Sequence, residues 1–363
     1  MSNHSTHSEP TTLMQEPTIQ TVGIVGEGKM GSGIFHSLIG QPYRLRWIGS
    51  QNADVESLKN QVDKKIRRAV KTGTMTPQQA EAFLGQTVIS TDLRDAIECD
   101  LIIEAIPEVV QMKQELFKEL DQLVNSSCIL ASNSSSINPS TLFTGTGRDS
   151  MIIGMHYFYP VQLKESVEVT ITSRTAPDVR EKVMLFLESM HKQILELNES
   201  NSFILNKLFL DIQNEAYLIC ERGILSEEQM DQLVRKHLFP IGIFDFMDHV
   251  GIDTMLNSVT NYIEGYPNKV YYSGLVSRLQ QLAEEGKTGK KAGQGFYLYR
   301  DSQPVISDSL EAIPSETINE IAEYMKYIFL NTAKRFVMQS GCTIGEMNLA
   351  IREYFGLEKG PFE

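Results

Sequence analysis

The chain is poor in cysteine, in basic charge and in long apolar runs, and each shortage excludes a class of function. Its four cysteines, Cys99, Cys128, Cys220 and Cys342, are scattered through 363 residues with no C-x-x-C pair. That speaks against a disulfide framework or a cysteine zinc site and fits a reducing compartment. Lys and Arg number 33 against 46 Asp and Glu, a formal charge of -13. Nucleic-acid affinity comes mainly from Lys and Arg neutralising phosphates, so no nucleic-acid partner is expected. No apolar run approaches the ~20 residues that span a bilayer, so no membrane partner is expected either. No cluster of residues has the spacing of a metal centre. Residues Met1 to Pro17 are polar and rich in Ser, Thr and His. They lack the positive start and apolar stretch of a secretory signal, and the arginines of a mitochondrial transit peptide. Residues 1–18 therefore read as a disordered tail, and the expected location is cytoplasmic.

What is present is ordinary globular material, 41% hydrophobic and 22% charged, in a length that suits two domains. Thr21 to Val25 is apolar and β-branched, glycines follow, and Met30 to Ile39 suits a helix. Next come a strand at Arg44–Ile48, a long basic helix at Val55–Val70, and strands at Leu101–Ile106, Ile129–Ser132 and Met151–Met155. Short, wholly apolar strands suit a parallel sheet covered on both faces. Val109, Lys113, Leu116, Phe117, Leu120 and Val124 form a helical stripe between two of them. Strands alternating with helices predict an α/β, Rossmann-like doubly wound domain over residues 19–198. From Ser202 the spacing of Leu205, Leu208, Phe209, Ile212, Ala216 and Ile219 is helical. It predicts a mostly helical domain over 199–300. Residues 301–363 read as a linker, rich in Asp, Ser and Pro as far as Pro314, and a further helical segment. Asn214, Ala216, Gly223, Met230 and Phe244 have counterparts in Asn331, Ala333, Gly341, Met347 and Phe362. An offset of about 117 residues makes that segment a partial second helical repeat.

Gly26-Glu27-Gly28-Lys29-Met30-Gly31 is a G-x-G-x-x-G turn between a strand and a helix. Gly26 makes the turn, Gly28 lets the backbone approach a pyrophosphate, and Gly31 lets helix and strand pack closely. The helix N-terminus offers Lys29 and Met30 amides to the phosphates. The expected cofactor is NAD. An Asp or Glu normally ends the second strand and binds the ribose hydroxyls, but that position holds Gly49. Ser50 follows with no arginine behind it, and Arg44 and Arg46 lie earlier on the strand. NADP therefore stays open: weakened discrimination is predicted, with Gly49→Asp restoring a strong preference for NAD.

Several segments together resemble one family. They are the glycine turn, Glu104-Ala105-Ile106-Pro107-Glu108, Ala131 to Ser136, Gly154-Met155-His156-Tyr157-Phe158, Val167-Glu168-Val169, Phe203 to Leu208, Asn214-Glu215-Ala216 and Gly295-Phe296-Tyr297. Over residues 19 to 300 the chain resembles the L-3-hydroxyacyl-CoA dehydrogenases of fatty-acid β-oxidation. The resemblance implies that His156, at a strand end, accepts the proton of a secondary alcohol, with Glu168 bonded to its imidazole. It implies that Ser135 bonds the substrate oxygen and that Asn206 holds His156 and substrate in place. Glu108, Lys113 and Asn133 match positions beside the ribose and nicotinamide. The basic helix, with Lys59, Lys64, Arg67 and Arg68, matches a region that meets coenzyme A phosphates. Tyr159 stands near the acyl pocket where the family usually has Asn, and Gly242-Ile243-Phe244 departs from the usual Gly-Pro-Phe turn. The implied reaction is hydride transfer from an L-3-hydroxyacyl-CoA thioester. Two alternatives remain: the same chemistry on a group carried by an acyl carrier protein, and a non-catalytic binding protein on this scaffold. The resemblance makes the helical part a substrate and dimerisation domain, and implies a homodimer unless the partial second repeat covers that surface.

Overall fold

Thr21–Val25 forms strand β1, buried at every position. In the computed structural model, which describes residues 19–264, 266 and 268–363, β1 belongs to an eight-stranded sheet. The expected tail over 1–18 lies outside the described residues. The other strands are β2 (Arg44–Ile48), β3 (Val88–Ser90), β4 (Leu101–Glu104), β5 (Ile129–Ser132), β6 (Ile152–Tyr157), β7 (Ser166–Ile171) and β8 (Gln193–Asn198). Their order is β3-β2-β1-β4-β5-β6-β7-β8, parallel except where β7 runs against β6. Parallel neighbours need crossovers. Helices α1 (Lys29–Ser37), α2 (Val55–Lys71), α3 (Pro77–Gln86), α4 (Val110–Leu123), α5 (Pro139–Leu142) and α6 (Pro177–Ser189) lie along the connections. Successive strand residues point to opposite faces and so feed two cores. Leu101 and Ile103 join Ile24 and Trp47 on one face, and Ile102 and Leu130 join Phe117 and Leu120 of α4 on the other.

The strand expected to run to Ile106 stops at Glu104, because the Ile106 N–H donates back to Glu104 Oε1 at 2.8 Å and turns the chain. The strand expected over Met151–Met155 is Ile152–Tyr157, which carries His156 inside the sheet. The first helix spans Lys29–Ser37 rather than Met30–Ile39. The stripe on α4 buries Lys113, Phe117 and Leu120, but Val109 is the exposed residue that precedes the helix. Strand order reverses between β1 and β4, so a crevice opens beyond their carboxyl ends, where doubly wound sheets bind ligands.

The second core is built around α7 (Ile204–Glu221), which buries 12 of its residues. A helix buried on nearly all sides sits at a core centre. Helices α8 (Glu227–His237), α9 (Ile243–Val250), α10 (Ile252–Ile263), α11 (Ser273–Glu284), α12 (Ser315–Ser340) and α13 (Ile344–Phe355) share that core. The stretch expected as a linker is partly structured, since Tyr299–Arg300 and Gln303–Pro304 pair as a small antiparallel ladder. The pairs α7–α8 and α12–α13 are built alike. Each first helix is followed by a glycine of positive φ, Gly223 at 70° and Gly341 at 75°. Each second helix opens with a capping box, Ser226 with Gln229 and Thr343 with Glu346. Phe244 N–H donates to Asp231 and Phe362 N–H donates to Asn348 at the matching places. Among the described residues no helix is long and apolar enough to cross a membrane.

Candidate active site

The glycine turn sits at the mouth of the crevice. Gly26 has φ 123°, and a Cβ there would stand 2.5 Å from the Ala105 carbonyl oxygen. A Cβ on Gly31 would stand 2.1 Å from the Gly26 carbonyl oxygen, so the helix packs on the strand only with glycine at this position. No side chain caps α1 at Gly28. The first-turn N–H groups of Lys29, Met30 and Gly31 therefore have no intrahelical acceptor and are available to phosphate oxygens. These residues fit a dinucleotide pyrophosphate.

Across the sheet, the antiparallel register places His156 of β6 directly opposite Glu168 of β7. His156 Nδ1 lies 2.8 Å from Glu168 Oε2. Glu168 is fully buried, and its Oε1 accepts the Leu205 N–H, 3.1 Å away, in the first turn of α7. A carboxylate only accepts, so Nδ1 carries a proton, and in the neutral ring Nε2 is the acceptor. The ring edge packs on Phe158, with centroids 4.6 Å apart. Asn133 Oδ1 accepts the Tyr157 N–H at 2.9 Å and ties the end of β5 to the residue after His156.

Asn206 does not bond His156, the role implied for it. Its Nδ2 donates to the Ser135 carbonyl at 3.3 Å and to Tyr262 Oη at 2.9 Å, and its Oδ1 accepts from Tyr354 Oη at 2.7 Å. It is a hinge pin between the sheet loop and the helices. Glu108 holds that loop from the other side. Its Oε1 accepts from Ser134 Oγ, from Ser135 N and from Ser136 N and Oγ, at 2.6 to 3.0 Å. Ser135 Oγ is farther, at 3.5 Å, and so is not committed to Glu108.

Lys113 is buried, with Nζ 2.6 Å from Glu104 Oε1 and 3.1 Å from Glu108 Oε2. Its three donors are taken by these two carboxylates and by the Ile106 carbonyl at 3.3 Å, so it reaches a ribose only by giving one up. The two glutamates respond differently to the shared lysine. Burial raises the Glu104 carboxyl above its ordinary value despite Lys113. Burial also raises Glu108, but Lys113 and the serine hydroxyls outweigh it and hold that carboxyl low.

A cavity of about 170 Å³ opens between the loop and the helices, lined by Ser135, Asn206, Phe209, Phe246, Met255, Tyr262 and Tyr354, among others. Tyr159 does not line it and is 60% exposed. Lys59, Lys64, Arg67 and Arg68 do not line it either; they form the exposed face of α2, whose other face buries Leu58, Val62 and Ile66. Gly49 is buried at the end of β2, its N–H on the Ser90 carbonyl. A larger cavity of about 910 Å³, between α7 and α12, is lined by none of the catalytic, cofactor or substrate residues expected from sequence. Tyr262 and Tyr354 were missed. Each sits on an amphipathic helix like any core tyrosine, and no local pattern marks it. Glu104 was seen only as part of a motif.

The comparisons with known proteins agree with this layout. Residues 21–200 match the model of the 3-hydroxyacyl-CoA dehydrogenase NAD binding domain, and residues 203–299 match that of the 3-hydroxyacyl-CoA dehydrogenase C-terminal domain. A probable 3-hydroxybutyryl-CoA dehydrogenase of Deinococcus radiodurans is 31% identical over 278 residues, covering 76% of this chain and 99% of that one. The crystal structure of (S)-3-hydroxybutyryl-CoA dehydrogenase from Ralstonia eutropha is 28% identical with a TM-score of 0.70, covering 78% of this chain and 100% of that one. A 3-hydroxybutyryl-CoA dehydrogenase structure from Escherichia coli, 19% identical, shares the fold over 95% of this chain and 90% of that one at a TM-score of 0.78. By both of its matched domains, the chain belongs to the 3-hydroxyacyl-CoA dehydrogenase family.

Proposed function

We propose that the protein interconverts L-3-hydroxyacyl-CoA and 3-oxoacyl-CoA with NAD, that His156 is the base, and that the acyl chain is short. The observation that carries this is the buried His156–Glu168 pair, with Nδ1 bound at 2.8 Å and Nε2 left as the acceptor. In the oxidation, Nε2 takes the proton of the substrate hydroxyl. NAD, held at the turn of Gly26, Gly28 and Gly31, would supply the acceptor for the hydride of the carbinol carbon. The imidazolium so formed lies against the Glu168 carboxylate, which stabilises it. In the reduction the same nitrogen returns the proton to the oxygen. Ser135 Oγ donates to the substrate oxygen, and Asn206 positions it by holding the Ser135 carbonyl.

A short acyl chain is supported by the small cavity beside Ser135 and Asn206, with Phe209, Phe246 and Met255 as apolar walls. The names of the similar proteins, 3-hydroxybutyryl-CoA dehydrogenases, point the same way. Turnover with NADH should be measured on 3-oxoacyl-CoA thioesters of four, eight and sixteen carbons, and on the same groups carried by acyl carrier protein. The expected result is the highest kcat/KM for the four-carbon CoA thioester. No turnover of any would remove the reading, and a preference for the carrier protein would reassign the carrier.

A further inference from the structure

The residue that reads the cofactor's adenosine ribose is absent from its usual place. In doubly wound sheets an acid after the second strand accepts the ribose hydroxyls and repels the 2′-phosphate of NADP. Gly49 occupies that position, and the packing explains why no side chain stands there. A Cβ on Gly49 would lie 2.5 Å from the Ala53 Cβ. The same place is nevertheless filled by a carboxylate from the neighbouring turn. Glu27, the first variable residue of the glycine motif, reaches across from the end of β1 to the end of β2. Its Oε1 accepts from Ser50 Oγ at 2.6 Å and its Oε2 accepts the Ser50 N–H at 3.0 Å. Oε2 lies 3.7 Å from where the Gly49 Cβ would be.

We infer that Glu27 replaces the missing strand-end acid as the group that binds the ribose hydroxyls and excludes a 2′-phosphate. Each carboxylate oxygen can accept more than one hydrogen bond, so the bonds from Ser50 leave capacity for two ribose hydroxyls. Partial burial raises the Glu27 carboxyl, but the Ser50 bonds outweigh it and hold the group below its ordinary value, so it is ionised near neutral pH. The basic residues of β2 are bonded elsewhere and make no ion pair with Glu27. Arg44 Nε donates to Thr21 Oγ1, and Arg46 Nη1 donates to the Gln86 and Leu45 carbonyls. The weakened discrimination expected from Gly49 is therefore revised to firm selectivity for NAD. Gly49→Asp, expected from sequence to restore that selectivity, would instead push on Ala53.

Dissociation constants for NADH and NADPH, read from nicotinamide fluorescence on the full chain without substrate, test this independently of the acyl chemistry. The native protein should bind NADPH about 10- to 100-fold more weakly than NADH, because a carboxylate and a phosphate at contact repel strongly. Glu27→Gln keeps the shape and the Ser50 contacts but loses the charge, so the ratio should fall close to one. Glu27→Lys should reverse it in favour of NADPH. Thermal unfolding of each variant separates a local change from a misfolded one. A native ratio near one, or a ratio unchanged in both variants, would overturn the inference.

Discussion

His156 and Glu168 face each other because β6 and β7 are antiparallel and in register at that rung. Burying a carboxylate is costly unless it is paired, and Glu168 has two donors, the His156 ring and the Leu205 N–H. The pair fixes the tautomer and supports the positive charge that forms on the ring. His156→Ala should lower turnover by about 10² to 10⁴, the usual contribution of a general base. NADH binding should stay within about threefold, since the ring does not hold the dinucleotide phosphates. Glu168→Gln should lower kcat and move the pH–rate profile, because the imidazolium loses its anion. Steady-state rates and NADH titrations on both variants check this; native-like turnover in His156→Ala would sink the assignment.

Two elements carry consequences of their own. Helix α13 docks on the sheet through Glu353, which accepts from the Ser166 N–H at 2.8 Å and from Ser166 Oγ at 2.6 Å. Lys164 Nζ donates to the Glu353 carbonyl. This docking delivers Tyr354 to Asn206, so a segment beyond residue 299, where the family models end, forms a wall of the cavity. Tyr354→Phe removes that one hydrogen bond at nearly constant volume. A net bond is worth about 1 kcal/mol of stability, a shift of about 1 to 2 °C in Tm for a chain this long, and a less firmly held Asn206 should lower kcat/KM by up to roughly fivefold. An unchanged kcat/KM would make Tyr354 mere packing.

Helix α1 carries a pH-sensitive contact. His36 packs against Phe35 and Trp47, and its Nε2 has no hydrogen-bond partner among the described residues. Burial, and then the nearby Lys65, lower its pKa from 6.5 to about 4. The unfolded chain therefore takes up the proton first as pH falls, and stability is lost between those two values. Each pKa unit is worth about 1.4 kcal/mol, but the ring is only partly buried and solvent screens part of the effect, so the loss is roughly 1 to 2 kcal/mol. Urea unfolding at a pH of about 7 and of about 4 should show it, and His36→Met should remove that part of the slope. An equal slope in the variant would assign the acid loss to other groups.

At the scale of the whole molecule, the site lies on the seam between two cores. Glu168 to Leu205, Asn206 to Ser135 and Asn261 to Ser136 are among the hydrogen bonds that cross it. The sheet side supplies the turn and the base, and the helical side supplies the cavity walls. The charge is also uneven, since a chain of -13 presents the basic face of α2 to solvent. If that face meets the phosphates of the thioester carrier, Lys64, Arg67 and Arg68 changed together to Glu should raise KM more than they lower kcat. The effect should shrink with added salt, because exposed charges are screened over about 8 Å at physiological ionic strength. A KM indifferent to the triple change would make α2 a solvated surface.

The sequence by itself determined the features whose causes are local. Backbone sterics require glycine at Gly26, short apolar runs mark β1 and β5, and helical spacing of apolar residues marks α7. The order of the motifs made the family legible, and with it the expectation for His156 and Glu168. Elements with little pattern were not legible. α3 buries only Ala80 and Phe83, and β3 is three half-buried residues whose pairing depends on β2. The tertiary structure alone decided what meets across the chain. It gave Lys113 its partners Glu104 and Glu108, which its place on the apolar stripe of α4 does not announce. It brought Tyr354 to Asn206 over 148 residues, and it put the Glu27 carboxylate where Gly49 leaves a gap. Such contacts depend on how elements pack rather than on what lies next to them in the chain, so no reading of neighbours reaches them.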